Sequence, residues 1–191
     1  MKLLYEEELN CRRWCTRLLQ LTWWFVALVT LAEAVLLAVD LHANGTANIQ
    51  HELYVYLLRP SLVYIVLLGI VQLATRPLLD KKKYVQQAVL YLVAISLAVL
   101  VLAWTHYAVP VVYIMFAFPI FLSVVYAQHW LTTCTFLLNL LLFGILVLAL
   151  PPLYPDGDAY LPDAMNSITT VAMLCGAFLA ARLLISRQKE L

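Results

Sequence analysis

The chain has 191 residues, of which 64% are hydrophobic and only 12% are charged, and its mean hydropathy is +0.89. A soluble domain needs more polar surface than this, so the composition predicts a membrane protein. The formal net charge of +1 is not that of a nucleic-acid-binding protein, and no nucleic-acid partner is expected.

Six stretches are apolar and long enough to cross a hydrocarbon core of about 30 Å, which takes about 20 residues of helix. The predicted fold class is therefore all-α, a polytopic membrane protein with six transmembrane helices. An amphipathic helix over 1–17 precedes the transmembrane domain (18–186), and 187–191 begin a signalling helix. The predicted spans are 18–39, 53–75, 84–105, 110–127, 131–150 and 166–186.

Lysine and arginine mark one side of these spans. They occur in the N-terminal segment, in the second connection (76–83) and at the C-terminal end. The connections 40–51, 106–109 and 151–163 contain neither residue. Because cytoplasmic connections are enriched in Lys and Arg, this pattern predicts that both termini are cytoplasmic.

Two ionisable residues lie inside the first two predicted spans. Glu33 and Arg59 are each six residues from the outer end of their span, which corresponds to a depth of about 9 Å. A lone charge at that depth is costly, so we expect the two side chains to face each other. Arg59 could also extend to the surface or bind an anionic ligand. The other predicted ligand-binding residues are Tyr56, Tyr64, His51 and His106.

Two prolines interrupt predicted spans. Pro60 deprives the carbonyl of Tyr56 of its helical hydrogen bond, and Pro119 does the same for Met115. Neighbouring helices can satisfy such a carbonyl, so both positions are tolerated in a membrane. We expect Pro119 to form a kink that transmits a signal, with a static kink as the alternative.

Small residues recur at four-residue spacing in the last predicted span, at Ala172, Gly176 and Ala180. Such a stripe lets two helices approach closely, so it predicts helix packing either inside the bundle or in a dimer. Asn139, alone in the fifth span, is predicted to form a hydrogen bond to another helix.

Motifs for metal, cofactor or catalytic chemistry are missing from the sequence. The four cysteines, Cys11, Cys15, Cys134 and Cys175, match no zinc or disulfide spacing. No phosphate-binding loop, HExxH or GxSxG motif occurs. We therefore expect no metal, no cofactor and no enzymatic activity in this chain.

The stretch HYAVPVVYIMFAFPIFLSVVYAQHW, with the trailing SRQKEL, resembles the multi-span sensor regions of bacterial membrane diguanylate cyclases. His106, Tyr107, Pro119 and Ser123 carry the likeness, and some sensor histidine kinases have similar modules. The resemblance covers the architecture of the whole chain. It implies a location in the bacterial inner (cytoplasmic) membrane and a homodimer formed through the last helix. It also implies a GGDEF output domain beyond Leu191, because this chain has no such motif.

The sequence thus predicts a transmembrane receptor that detects a small ligand, anionic or lipidic, at its outer half. The ligand would bias an equilibrium between two packings, and the last helix would carry the change to a cytoplasmic output domain. Membrane lipid is the expected surrounding partner. The alternative is the substrate-binding membrane subunit of an energy-coupling-factor importer, which is also a six-span protein of this length. A small membrane enzyme is disfavoured by the missing motifs.

Overall fold

The computed structural model of the protein describes the backbone of residues 2–44, 51, 53–106, 110–149 and 160–190. Side chains are described for residues 12–39, 42, 51, 53–106, 112–149 and 166–188. Within these ranges the chain is helical apart from short turns at 81–83, 106 and 127–128, and it contains no strand. The all-α prediction is therefore confirmed for the described part of the chain.

The described residues form helices of three windings. The α-helices are α1 (Lys2–Asn44), α2 (Arg59–Asp80), α3 (Tyr84–Thr105), α4 (Phe118–Ser123), α5 (His129–Ala149) and α6 (Tyr160–Glu190). A π-helix (Leu53–Leu58) leads directly into α2. Two 3₁₀-helices, Pro110–Ala117 and Val124–Tyr126, flank α4. We call this 3₁₀–α–3₁₀ run, residues 110–126, the fourth element.

Five of the described helices are long and apolar enough to cross a membrane. Their spans are Arg12–Val39, Leu53–Asp80, Tyr84–Thr105, His129–Ala149 and Asn166–Gln188. They correspond to the predicted first, second, third, fifth and sixth spans, and they support a helical membrane protein. The fourth predicted span falls on the shorter apolar helix Val112–Tyr126.

The predicted N-terminal helix over 1–17 leads directly into the first span. α1 continues without a break from Lys2 to Asn44, a length of 43 residues. The last helix is likewise continuous over its 31 residues, from Tyr160 to Glu190. The predicted boundary at 186 therefore falls inside α6.

The chain divides into two compact units, Met1–Ala88 and Val89–Leu191, and the division falls inside α3. In the first unit, α1 packs against α2 and against the π-helix. The face that α2 buries repeats every three or four residues: Pro60, Tyr64, Leu68, Val71, Thr75 and Leu79. This spacing is the stripe that one side of an α-helix presents to a neighbour.

The second unit has a continuous apolar core. α5 and α6 pack against each other, and the fourth element contacts both. Phe143 of α5 makes edge-to-face contacts with Tyr113 and Phe116, at ring-centroid distances of 5.9 and 5.8 Å. Phe116 and Ile120 of the fourth element have 0% of their surface exposed. The fourth element therefore supplies much of this core.

Both prolines lie where the winding of the chain changes. Pro60 is in the first turn of α2, directly after the π-helix. Pro119 is in the first turn of α4, directly after the 3₁₀-helix. Because proline has no backbone N–H, the carbonyl four residues before it cannot accept an α-helical hydrogen bond. The segment that contains this carbonyl is a π-helix before Pro60 and a 3₁₀-helix before Pro119. Irregular backbone at Pro119 was predicted; the proposed role in signalling stays a prediction.

Candidate functional site

The first unit buries a carboxylic acid among apolar side chains. Glu33 of α1 is only 7% exposed and lies inside an apolar span, six residues from its end at Val39. It interacts electrostatically with Tyr64 of α2, which is 3% exposed. The Tyr64 hydroxyl is buried without a hydrogen bond to any other described residue. Glu33 and Tyr64, both predicted as ligand-binding residues, are thus brought together.

The structure does not bring Arg59 to Glu33. The Arg59 side chain is exposed, whereas Glu33 is buried. Arg59 directly precedes Pro60, which belongs to the buried face of α2. Successive helical residues point about 100° apart, so Arg59 is turned away from that face. Within the described part of the chain, Arg59 has no ion pair. The expected facing pair is not formed, while a ligand-binding role for Arg59 stays a prediction.

The remaining predicted ligand-binding residues are less enclosed. Tyr56, in the π-helix, is 43% exposed, and His51 is also exposed. His106 is half-buried and belongs to the second unit, whereas the other five residues belong to the first. The structure therefore places only Glu33 and Tyr64 in one buried site.

The second unit uses its buried polar groups for bonds between helices. The Asn139 side-chain nitrogen donates to the Ser96 hydroxyl at 3.0 Å, which joins α5 to α3 and confirms the predicted interhelical bond. The Ser123 hydroxyl donates to Thr132 at 2.8 Å and joins α4 to α5. All four residues have 0% of their surface exposed. The contacts of Ser96 and Thr132 were not predicted.

The predicted packing stripe of the last helix faces outward from its unit. Ala172 and Gly176 are exposed and Ala180 is half-buried. No described atom lies within 4 Å of the place that a Cβ on Gly176 would occupy. The buried face of α6 is instead Leu174, Ala177, Ala181 and Ile185. Packing inside the unit does not use the stripe, so of the two predicted uses only the dimer contact stays open for Gly176.

A cationic cleft at one end of the first unit was not predicted from the sequence. It lies between α1 and α2 and is lined in part by Arg12, Arg76, Trp23 and Gln72. The Arg12 Nη2 donates to Asp80 Oδ1 at 3.1 Å, and the Trp23 Nε1 donates to Gln72 Oε1 at 2.8 Å. The sequence contained a signal for this cleft. Arg12, Thr16 and Trp23 follow helical spacing in α1, and α2 carries Arg76 and Asp80 near its end.

Neither a metal site among the described residues nor a match to a known protein indicates a function. The described residues contain no group of three His, Cys, Asp or Glu side chains that would hold a metal ion. No protein-family model, curated protein or solved structure matches the sequence. A functional proposal for this chain rests on its own residues and contacts.

Proposed function

We propose that the chain is a transmembrane sensory domain whose last helix, α6, carries a conformational change toward the cytoplasmic side. The observation that supports this most strongly is the fourth element. It is an irregular segment in a unit whose other described helices are α-helices, and it packs directly against α6. A sensor needs such a contact between a movable element and its output helix.

The winding of the fourth element makes it suited to movement. A 3₁₀-helix has poorer hydrogen-bond geometry than an α-helix, and long 3₁₀ stretches often mark hinges. The first 3₁₀ segment is eight residues long, which is more than usual for this winding. Conversion of this segment to α-helix would shorten it by about 0.5 Å per residue, and hence by about 4 Å in total.

The core transmits such a change to α6. Phe116 and Ile120 share one apolar cluster with Leu174 and Ala177 of α6. All four side chains are at least nine-tenths buried. Because a close-packed core has few voids, displaced side chains on one helix must displace those on its neighbour. A shift of the fourth element therefore moves α6.

The same winding lets a short segment cross the membrane. Its eight and three residues of 3₁₀-helix rise about 22 Å, and its six residues of α-helix rise about 9 Å. The total of about 31 Å equals the hydrocarbon thickness of about 30 Å. This length supports six crossings and, with the Lys and Arg pattern, cytoplasmic termini.

The proposed input is a small ligand near Glu33 and Tyr64. Polar groups buried at membrane depth are costly, and they commonly mark substrate or ligand pathways. The exposed stripe at Ala172 and Gly176 is available for a second copy of α6, as in a dimeric sensor. A partner subunit of an importer would use the same stripe, and this observation keeps the importer as the second candidate.

Distance measurements between spin labels test the coupling. Labels are placed at Trp104→Cys and Leu184→Cys, which are exposed positions of α3 and α6 in the second unit, after the native cysteines are replaced by serine. Pro119→Ala restores a backbone donor without adding bulk. We expect it to change the mean distance by about 1–2 Å, the size of helix shifts in known switches.

Pro110→Ala is the matched control, because Pro110 begins the fourth element, where an N–H has no helical partner. It should leave the distance unchanged. If Pro119→Ala also leaves the distance unchanged in protein that remains folded, the fourth element does not position α6, and the sensory proposal loses its main support.

A further inference from the structure

A cleft of about 310 Å³ lies between α1 and α2. It opens at the end of the unit where Arg12 of α1 lies beside Asp80, the last residue of α2. A hollow of about 330 Å³ adjoins it and shares two of its lining residues. The hollow is lined by Arg12, Arg13, Thr16 and Arg17.

The lining of the cleft is cationic. It contains Arg12 and Arg76, and none of the described residues that line it is acidic. Asp80 lies beside the cleft and accepts one hydrogen bond from Arg12, with the two side chains 62% and 57% exposed. A guanidinium has five N–H donors, so most of the Arg12 donors remain available to a ligand. Arg76 forms no ion pair within the described part of the chain.

The cleft combines charged, polar and apolar side chains along the helix axis. Trp23 is 11 residues from Arg12 along α1, which corresponds to about 16 Å. The bond from Trp23 to Gln72 crosses the cleft at that depth. The lining also includes Leu19, seven residues from Arg12 along α1, and Leu79, which directly precedes Asp80. Their side chains are 7% and 5% exposed. A ligand that fills the cleft therefore meets both guanidinium groups and apolar side chains.

We propose that this cleft binds an anionic phospholipid, with its phosphate held by Arg12 and Arg76 and the start of an acyl chain along Leu19. Arginine suits this task because its planar fork donates two parallel hydrogen bonds to phosphate oxygens. Basic pockets between spans at the cytoplasmic side are suited to anionic head groups. A soluble phosphate ester offers the same charge but no chain for the apolar part. This proposal is independent of signalling through α6.

Native mass spectrometry of the whole chain in a neutral detergent tests the proposal. Phosphatidylglycerol, phosphatidylcholine and glycerol phosphate are titrated separately. We expect phosphatidylglycerol to be retained, and Arg76→Gln to weaken its retention about tenfold, because a charge-assisted hydrogen bond is lost. Arg76→Lys should recover part of the retention, since it restores the charge without the planar fork.

Arg187→Gln is the matched control. Arg187 is an exposed arginine of α6 in the second unit and lines neither the cleft nor the hollow. It should retain phosphatidylglycerol as the wild type does. Equal retention by the wild type and Arg76→Gln would overturn the site. Equal retention of phosphatidylcholine would overturn selectivity for an anionic lipid. Displacement of the lipid by millimolar glycerol phosphate would make a soluble phosphate ester the ligand instead.

Spectra are compared only for the folded, monodisperse fraction of each variant, and thermal unfolding without lipid is measured alongside. If Arg76→Gln unfolds at a lower temperature even without lipid, the Arg76→Lys variant decides. A lysine variant with wild-type stability and no selectivity for phosphatidylglycerol would contradict the proposal.

Discussion

The two units of this protein both contain long apolar helices but bury their side chains differently. In the most apolar stretch of the first span, 11% of the residues are buried, against 39% in that of α5. Large side chains of α1, such as Trp24 at 75% and Leu28 at 66%, are exposed in the described structure. In the second unit, Phe116, Ile120 and Leu146 are not exposed at all.

Polar side chains follow the same division. In the second unit, Asn139 and Ser96 bond to each other inside the core. In the first unit, Arg12 and Asp80 pair on the surface, at the mouth of the cleft. The difference teaches that apolar helices can build a cohesive core or leave most of their surface exposed. The first unit has an ion pair and a bond from Trp23 to Gln72 at its cleft, whereas the second unit has fully buried bonds between helices.

Truncation of a large aromatic residue should separate the two units most clearly. Phe116→Ala removes a fully buried ring from the second unit, and we expect a loss of about 3 kcal/mol in the free energy of unfolding. Trp24→Ala in the first unit should change it by about 0.5 kcal/mol or less, because that ring is exposed. Reversible unfolding in mixed micelles measures both.

Phe121→Ala controls for position, since Phe121 lies in the same fourth element as Phe116 but is 44% exposed. It should change the free energy of unfolding as little as Trp24→Ala does. Similar losses for Phe116→Ala and Trp24→Ala would remove the contrast between the units.

A smaller effect tests which residue Glu33 interacts with. We expect Glu33→Gln and Tyr64→Phe to be non-additive by about 0.5 kcal/mol or more, because the two buried groups interact. The effects of Glu33→Gln and Arg59→Gln on the free energy of unfolding should add to within about 0.3–0.5 kcal/mol, as those of separated residues do. Two double-mutant cycles of unfolding free energy measure this. Strong coupling of Glu33 with Arg59 would restore the pair that the structure separates.

These residues also show what could be predicted from the sequence. The five long apolar helices and the Asn139 bond were predictable, because length, hydropathy and a lone amide in an apolar helix leave few alternatives. The Ser96 partner was not, because serine and threonine can bond to their own helix, as Thr135 does to the Leu131 carbonyl.

The prediction that Glu33 and Arg59 face each other was wrong for a geometric reason. Counting residues gives the depth of a side chain in the membrane but not its direction around the helix. The spacing of Tyr64, Leu68 and Val71 defines the buried face of α2, and Arg59 is off it. That spacing was hard to read because nearly every position of the span is apolar, so the periodic contrast that marks a buried face is weak.

The most direct test of the central claim is amide hydrogen exchange of the whole chain in lipid nanodiscs. The claim is that the 3₁₀ segment of the fourth element is the movable part of a tightly packed unit. Amides of Val112–Ala117 should therefore exchange faster than those of α5, although Phe116 and Ala117 are as buried as Leu142 and Phe143. Equal protection of the two segments would show that the fourth element is as rigid as its neighbours and would contradict the claim.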